Sequence, residues 1–198
     1  FINFAIKRLA EIFGIIIFAT GTMLLIALIT YSPEDPNFIF PDNTEIKNLL
    51  SFQGSFISDL FFQSIGLISY LVSFTFIITG INILRIKEFF LIIENTFFTI
   101  IYCLFGTLFF THFHHKGFVL YINGNGGFIG NYLNQTFLNS LIQINENIFY
   151  YILIVLILFL FLISINFNPT NLYLLLKKIK NLFFKNKEKN YTDKSEII

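Results

Sequence analysis

The sequence of 198 residues holds three histidines, which stand close together at His112, His114 and His115. Neutral imidazoles ligate zinc when two or three of them converge on one point. No cysteine or carboxylate stands beside them in the sequence to complete a ligand set. The pattern favours a polar girdle at the edge of a membrane over a metal site, so we expect no metal and no other cofactor.

Glu94 is the one carboxylate within a long apolar stretch, and an ionisable residue in such a position is a functional candidate. It lies five residues after Phe89, roughly 7–8 Å along a helix. From that depth its side chain can extend to Arg85 or Lys87 at the membrane surface. We predict a local ion pair for Glu94, and a proton or ion pathway is the alternative.

A glycine run occupies residues 124–130, but its spacing does not suit a nucleotide. The G-x-G-x-x-G pattern from Gly124 requires glycine at position 129, where Ile129 stands. No Walker-type G-x-x-x-x-G-K-[ST] occurs anywhere in the chain. The run therefore predicts a turn that leads into a helix, and no catalytic residue is indicated.

The composition identifies the elements that must position these residues. The chain is 55% hydrophobic and 13% charged, and its mean hydropathy is +0.72. These values exclude a soluble enzyme and a disordered chain, and the single cysteine, Cys103, excludes a disulfide framework. We predict an all-α membrane protein with four transmembrane helices, since about 20 apolar residues cross a bilayer. The predicted spans are Ile12–Ile29, Leu60–Leu84, Phe89–Phe110 and Ile148–Ile165.

The positions of Lys and Arg predict the orientation. Eleven of the 13 basic residues lie before the first span, between spans two and three, or after span four. Positive residues accumulate on the cytoplasmic side, so both termini are predicted to be cytoplasmic. The seven lysines from Lys177 to Lys194 form a basic tail directly after span four. This position favours binding of anionic lipid over binding of nucleic acid. We divide the chain into a four-helix domain, residues 1–170, and this tail or start of a linker, residues 171–198.

The second periplasmic loop, which lies between spans three and four at residues 111–147, is too long to be a simple connection. Ile129, Leu133, Phe137 and Leu141 repeat at helical spacing, which predicts an amphipathic external helix lying in the outer interface or on the ends of the spans. Small residues also recur at four-residue spacing within spans one and two, which predicts helix–helix contact faces within the chain or between chains. They are Ala10, Gly14, Ser69, Ser73, Thr75 and Thr79.

Three polar motifs stand outside the apolar stretches. They are Tyr31-Ser32-Pro33-Glu34-Asp35-Pro36 after span one, Asn48 through Gly54 leading to Ser58-Asp59-Leu60 and Gly66, and Gly126-Gly127-Phe128-Ile129-Gly130 in the second external loop. In this order and in these loops, they resemble the N-terminal four-helix membrane domain of the FtsK/SpoIIIE DNA translocases. The resemblance covers roughly residues 5–170. One departure is Ser51, at a position where that family often has glycine. The motif residues that we single out as docking or structural positions are Tyr31, Pro33, Asp35, Pro36, Gly54, Asp59, Gly126, Gly127 and Gly130.

The resemblance implies a membrane anchor that holds a cytoplasmic motor at the septum of a bacterial inner membrane, for cell division and chromosome segregation. The implied partners are the lipid bilayer, division proteins that dock on the external loops, and further copies of the chain in a hexamer. The full-length family member would be an ATP-dependent DNA translocase. No catalytic, ATP-binding or DNA-binding residue carries over to these 198 residues.

Two other classes of function remain open at this stage. A small transporter or channel would depend on Glu94, since no other charge lies inside a predicted span. A membrane-bound metalloenzyme would depend on His112, His114 and His115.

Overall fold

The computed structural model describes residues 2–36, 45–114, 123–169 and 177, and in these residues the secondary structure is helical with no strand. The chain divides into two compact units, Phe1–Asn166 and Phe167–Ile198. A single 3-10 turn, Gly66–Ile68, separates the second and third helices. The helices are α1 (Ile2–Ile29), α2 (Ser51–Ile65), α3 (Ser69–Ile86), α4 (Leu91–Phe113), α5 (Gly127–Asn134), α6 (Phe137–Ile144) and α7 (Glu146–Ser164).

Four helical segments are long and apolar enough to cross a membrane, as predicted. The second of them, Ser51–Ile86, combines α2, the 3-10 turn and α3. Its 18-residue final part, α3, extends about 27 Å, close to the roughly 30 Å of a bilayer core. The predicted second span, Leu60–Leu84, therefore includes the C-terminal part of α2, from Leu60 to Ile65, and the 3-10 turn.

Helices α1 and α3 pack at close range through glycines. A Cβ atom on Gly80 would lie 2.6 Å from the backbone nitrogen of Phe18, and one on Gly21 would lie 2.7 Å from that of Ile77. Ala10, at the start of the same contact, is 1% exposed. Small residues allow two backbones to approach in a membrane, where van der Waals packing drives association. Gly14, one of the predicted small residues, lies in this α1–α3 contact, whereas the predicted Thr75 and Thr79 hydrogen-bond to Tyr102 and Asn95 on α4.

Helices α3, α4 and α7 meet around a buried tyrosine. Tyr102 is fully buried, and its hydroxyl lies 2.9 Å from the Oγ1 atom of Thr75 on α3. Ser164, near the end of α7, places its Oγ atom 3.4 Å from the same threonine oxygen. The ring of Phe161 packs edge-on against Tyr102 with the centroids 5.9 Å apart. A hydroxyl cluster in an apolar interior thus fixes the relative positions of three helices.

The external helix expected across residues 129–141 is divided in two. Helix α5 ends at Asn134, and Thr136 has an extended backbone with φ −92° and ψ 176°. The side chain of Thr136 accepts a hydrogen bond from the backbone nitrogen of Leu138 and so begins α6. Threonine is a preferred N-cap, because its side chain satisfies an otherwise free backbone donor. The apolar periodicity continues across this break and therefore does not reveal it.

We expect Gly80→Val to destabilise the protein by at least about 2 kcal/mol, because the added side chain overpacks the contact with the α1 backbone. Thermal unfolding in detergent micelles measures the effect. Ile81→Val is the control, since Ile81 is 40% exposed on the same helix. Equal melting temperatures for the two variants would contradict the glycine contact.

Candidate functional site

The sequence motifs assemble at one end of the helices into what we call the loop cap. The loop cap comprises residues 31–36, 45–68 and 123–144, which include α2, the 3-10 turn, α5 and α6. It packs on the spans through α2 against α1 and through α5 against α4. Part of the first loop, residues 37–44, lies outside the described residues, and so do residues 115–122 of the second.

A buried carboxylate holds the first loop together. Asp35 is 1% exposed, and its two carboxylate oxygens accept hydrogen bonds from the backbone nitrogens of Lys47 at 2.9 Å and Asn48 at 2.8 Å. A buried carboxylate is expensive unless its oxygens are hydrogen-bonded, and hydrogen bonds to a charged acceptor are stronger than neutral ones. Asp35 therefore closes the loop by tying residue 35 to residues 47 and 48.

Asn48 and Ser55 attach this closed loop to its neighbouring helices. The Nδ2 atom of Asn48 donates to the carbonyl of Ala27 on α1 at 2.9 Å. The hydroxyl of Ser55 on α2 donates to the carbonyl of Pro36, also at 2.9 Å. A Cβ atom on Gly54 would lie only 2.1 Å from the side-chain oxygen of Asn48, so that position needs glycine. Pro36 and Gly54 are thus interior positions of the cap.

A chain of polar side chains connects the first loop to the second. The hydroxyl of Tyr31 donates to Asp59 at 3.2 Å, and the Nε2 atom of Gln63 donates to the same carboxylate at 3.4 Å. Asn123 donates to Gln63 Oε1 at 3.0 Å, and Asn131 donates to the carbonyl of Asn123 at 2.9 Å. The two loops are therefore parts of one surface. Sequence reasoning missed Gln63, Asn123 and Asn131, because only long-range pairing distinguishes them from ordinary loop residues.

The glycine run provides close contact between backbones. Gly66 and Gly127 have positive φ angles of 63° and 67°, and a Cβ on Gly66 would lie 2.0 Å from the carbonyl oxygen of Asn125. Cβ atoms on Gly126 and Gly130 would lie 1.9 and 2.2 Å from Thr111 Oγ1 on α4. The backbone nitrogen of Leu67 donates to the backbone carbonyl of Asn125 at 2.9 Å. The predicted turn before a helix is present and is wedged between α4 and the 3-10 turn.

Most of the motif residues singled out in the sequence are buried. Asp35, Pro36, Gly54, Asp59, Gly126, Gly127 and Gly130 are buried, and Tyr31 and Pro33 are half-buried. The buried ones shape the cap from within and present little surface to the outside. The large apolar side chains that the cap exposes include Leu49, Phe52, Phe128, Tyr132, Phe137 and Ile144.

The histidines lie beside the second loop. His112 Nδ1 is 3.4 Å from Asn134 Oδ1, and His112 Nε2 is 3.8 Å from a carboxylate oxygen of Glu146. The backbone carbonyl of His114 accepts from Asn125 at 2.7 Å. His115 lies outside the described residues. Where the structure describes the chain, no three His, Cys, Asp or Glu side chains are grouped to hold a metal ion.

The ion pair predicted for Glu94 is replaced by a different one. Lys87 lies 2.6 Å from Glu11 on α1, and Arg8 pairs with the same carboxylate. Glu94 is exposed on α4 and has no ion-pair partner within the described ranges. The physical reason is that the α1–α3 contact brings Glu11 beside Lys87, at the end opposite the loop cap. The sequence reasoning omitted Glu11 because it lies just before the predicted start of span one.

We expect Asp35→Ala to destabilise the loop cap by roughly 2–4 kcal/mol, because two backbone donors lose a buried acceptor. Glu34→Ala is the matched control. The Lys47 ammonium holds the pKa of Glu34 below its usual value, but both side chains of this pair are exposed, so little stability depends on it. Thermal unfolding compares the two variants, and an equal loss from both would contradict the role of Asp35.

Ser51 begins α2 with φ 57°, in the left-handed region that favours glycine. We expect Ser51→Gly to stabilise the protein by about 0.5 kcal/mol. Relief of the left-handed strain raises the free energy of unfolding by roughly 1–2 kcal/mol. The greater conformational freedom of glycine in the unfolded chain lowers it by roughly 0.5–1 kcal/mol.

Ser140→Gly, on the exposed side of α6, is the control. We expect it to lower the stability, because glycine is unfavourable at an ordinary helical position. Denaturant titration of both variants measures the difference. A loss of stability at position 51 equal to that at position 140 would show that the positive φ carries no strain.

Comparison with known proteins adds one match. A family model described as the 4TM region of DNA translocase FtsK/SpoIIIE matches residues 6–173. The comparisons with curated proteins and with solved structures found no match. The family match covers the loop cap and the four candidate spans, except for the first two residues of the first span. The chain therefore belongs to the family of the 4TM region of the FtsK/SpoIIIE DNA translocases.

Proposed function

We propose that this domain anchors a DNA translocase motor in the bacterial inner membrane at the division septum. The observation that carries the proposal is the family match over residues 6–173. ATP and DNA would be bound by the motor, and the four-helix domain would supply attachment and position. The described residues contain no grouped metal ligands, and the polar motifs of the loops are used for folding.

Both termini of the domain are cytoplasmic in this proposal, and the loop cap faces the periplasm. The basic residues support it, since eleven of 13 fall on one side by sequence. The cluster of Arg8, Glu11 and Lys87 agrees with that arrangement, because it joins the start of α1 to the end of α3. The lysines after α7 would then lie beside the anionic cytoplasmic leaflet.

The loop cap is the surface on which we place the division partners. Its interior is held by buried hydrogen bonds, so its exposed aromatic side chains are presented by a rigid support. Phe128 and Tyr132 are 62% and 63% exposed on α5, whose opposite face is fixed to α4 by glycines. Exposed aromatic residues on a rigid element are typical of protein interfaces. We also propose that the domain forms a homo-oligomer, a hexamer by analogy with the family.

A test uses the chain fused at its C terminus to a fluorescent protein that matures only in the cytoplasm. We expect bright septal bands, and the fluorescence itself reports a cytoplasmic C terminus. The double substitution Phe128→Ala and Tyr132→Ala should reduce septal enrichment severalfold while membrane fluorescence remains, because hot-spot aromatics are lost.

Val155→Ala is the matched control, since Val155 is 65% exposed on α7 and outside the cap. Unchanged septal bands in the double variant would reject docking through α5. Uniform membrane fluorescence of the unsubstituted chain would reject septal anchoring itself.

A further inference from the structure

A cavity of about 130 Å³ is lined by α1, α3 and α4, and none of the described residues that line it belongs to the loop cap. Its volume corresponds to roughly four liquid water molecules. The wall combines apolar side chains, such as Ile17, Phe76 and Ile92, with threonine hydroxyls and one asparagine. The described residues that line it carry no charge.

The asparagine has an unused hydrogen-bonding atom. Asn95 is 1% exposed, and its Nδ2 atom donates to Thr79 Oγ1 at 2.8 Å. Its Oδ1 atom is buried without a hydrogen-bond partner. A buried polar atom without a partner costs about 1–3 kcal/mol, and the cost is larger where no water is near. Other buried polar side chains nearby, such as Thr75 and Thr99, have partners.

The polar atoms are arranged from a buried back wall to an exposed mouth. Asn95, Thr79 and Thr75 are buried, whereas Thr20 and Thr96 are exposed. All three helices belong to segments that are long and apolar enough to cross a membrane, so in a bilayer the exposed side at this level would face lipid. Asn95 lies four residues from the start of α4, only about 6 Å along the helix. A group at the boundary between headgroups and acyl chains can therefore reach the cavity.

The chemistry of the wall selects a neutral hydroxyl. A hydroxyl donates to the free Asn95 oxygen and accepts from a neighbouring donor, so a single group satisfies the site. A phosphate or ammonium group would be buried without an opposite charge, which is strongly unfavourable. An apolar chain attached to the hydroxyl can remain in lipid beyond the exposed threonines.

We propose that this cavity binds a neutral hydroxyl group, which hydrogen-bonds to Asn95 and is supplied by a bilayer alcohol such as diacylglycerol or by water. The two sources offer the same donor and acceptor, and they differ in whether an acyl chain leaves through the mouth. The site is independent of the anchoring role and would be present in the domain without a motor or division partners.

The test reconstitutes the 198-residue chain in phospholipid vesicles with a photoactivatable diacylglycerol, and maps the labelled peptides by mass spectrometry. We expect labelling on the α1, α3 and α4 peptides that line the cavity. Unlabelled diacylglycerol should compete, and triacylglycerol, which lacks the free hydroxyl, should not. Asn95→Leu should reduce labelling about fivefold, which is the effect of one lost hydrogen bond.

Thr96→Phe provides a second variant, since it fills the exposed mouth while the buried wall stays intact. It should also reduce labelling. Ile100→Phe is the control, because Ile100 is 56% exposed on the same helix and does not line the cavity. Circular dichroism checks that each variant is folded.

Solid-state NMR transfer from water to the Asn95 side-chain amide tests the second source. Water is identified as the source if two results are found together: magnetisation transfer from water that is lost in Thr96→Phe, and no labelling specific to diacylglycerol. Equal competition by triacylglycerol, or labelling unchanged by both cavity variants, overturns the lipid source. If transfer from water is also lacking, the proposal itself is overturned.

Discussion

The structure depends on how closely two helix backbones can approach inside a membrane. Lipid chains are as apolar as leucine, so helices gain little from hiding apolar side chains from them and must associate by packing. Gly14, Gly21 and Gly80 remove the side chains that would separate α1 from α3. The two helices make the most extensive contact among the described elements. Once this pair is fixed, its two ends provide the positions to which the other polar groups attach.

At one end of the pair, the loop cap provides hydrogen-bond partners for buried backbone groups. Tyr70 on α3 donates to the carbonyl of Leu28 near the end of α1 at 3.2 Å, and Asn48 donates to Ala27 one residue earlier. These bonds satisfy carbonyls that a helix end leaves free. Asp35 then satisfies the donors of residues 47 and 48. At the opposite end, Glu11 occupies the space between Arg8 and Lys87.

The sequence predicts the number and position of the spans well, because hydrophobic length is a local property. It also predicts the α1 contact face, since Ala10 and Gly14 repeat at the spacing of one helix face. Two features depend instead on residues far apart in the chain: the break before α3, where Leu67 donates to the carbonyl of Asn125, and the pairing of Gln63 with Asn123. The division into α5 and α6 is local, at the Thr136 cap, but the apolar periodicity does not reveal it. Glu94 illustrates the same limit, because the partner of Lys87 is set by helix packing and not by proximity in sequence.

The abundant phenylalanines contribute little to this specificity. Among the residues whose burial is described, only Phe62 and Phe109 of the 29 phenylalanines are buried, and many others are exposed where lipid would surround the spans. Against lipid, one large apolar side chain serves nearly as well as another. Buried threonine, serine and asparagine have no such freedom, because each needs a partner at a defined position. The fold is therefore specified mainly by a polar minority, as in the contact of Thr75 with Tyr102 and Ser164. This explains how short polar loop motifs can point to a family in a chain whose spans are rich in phenylalanine and isoleucine.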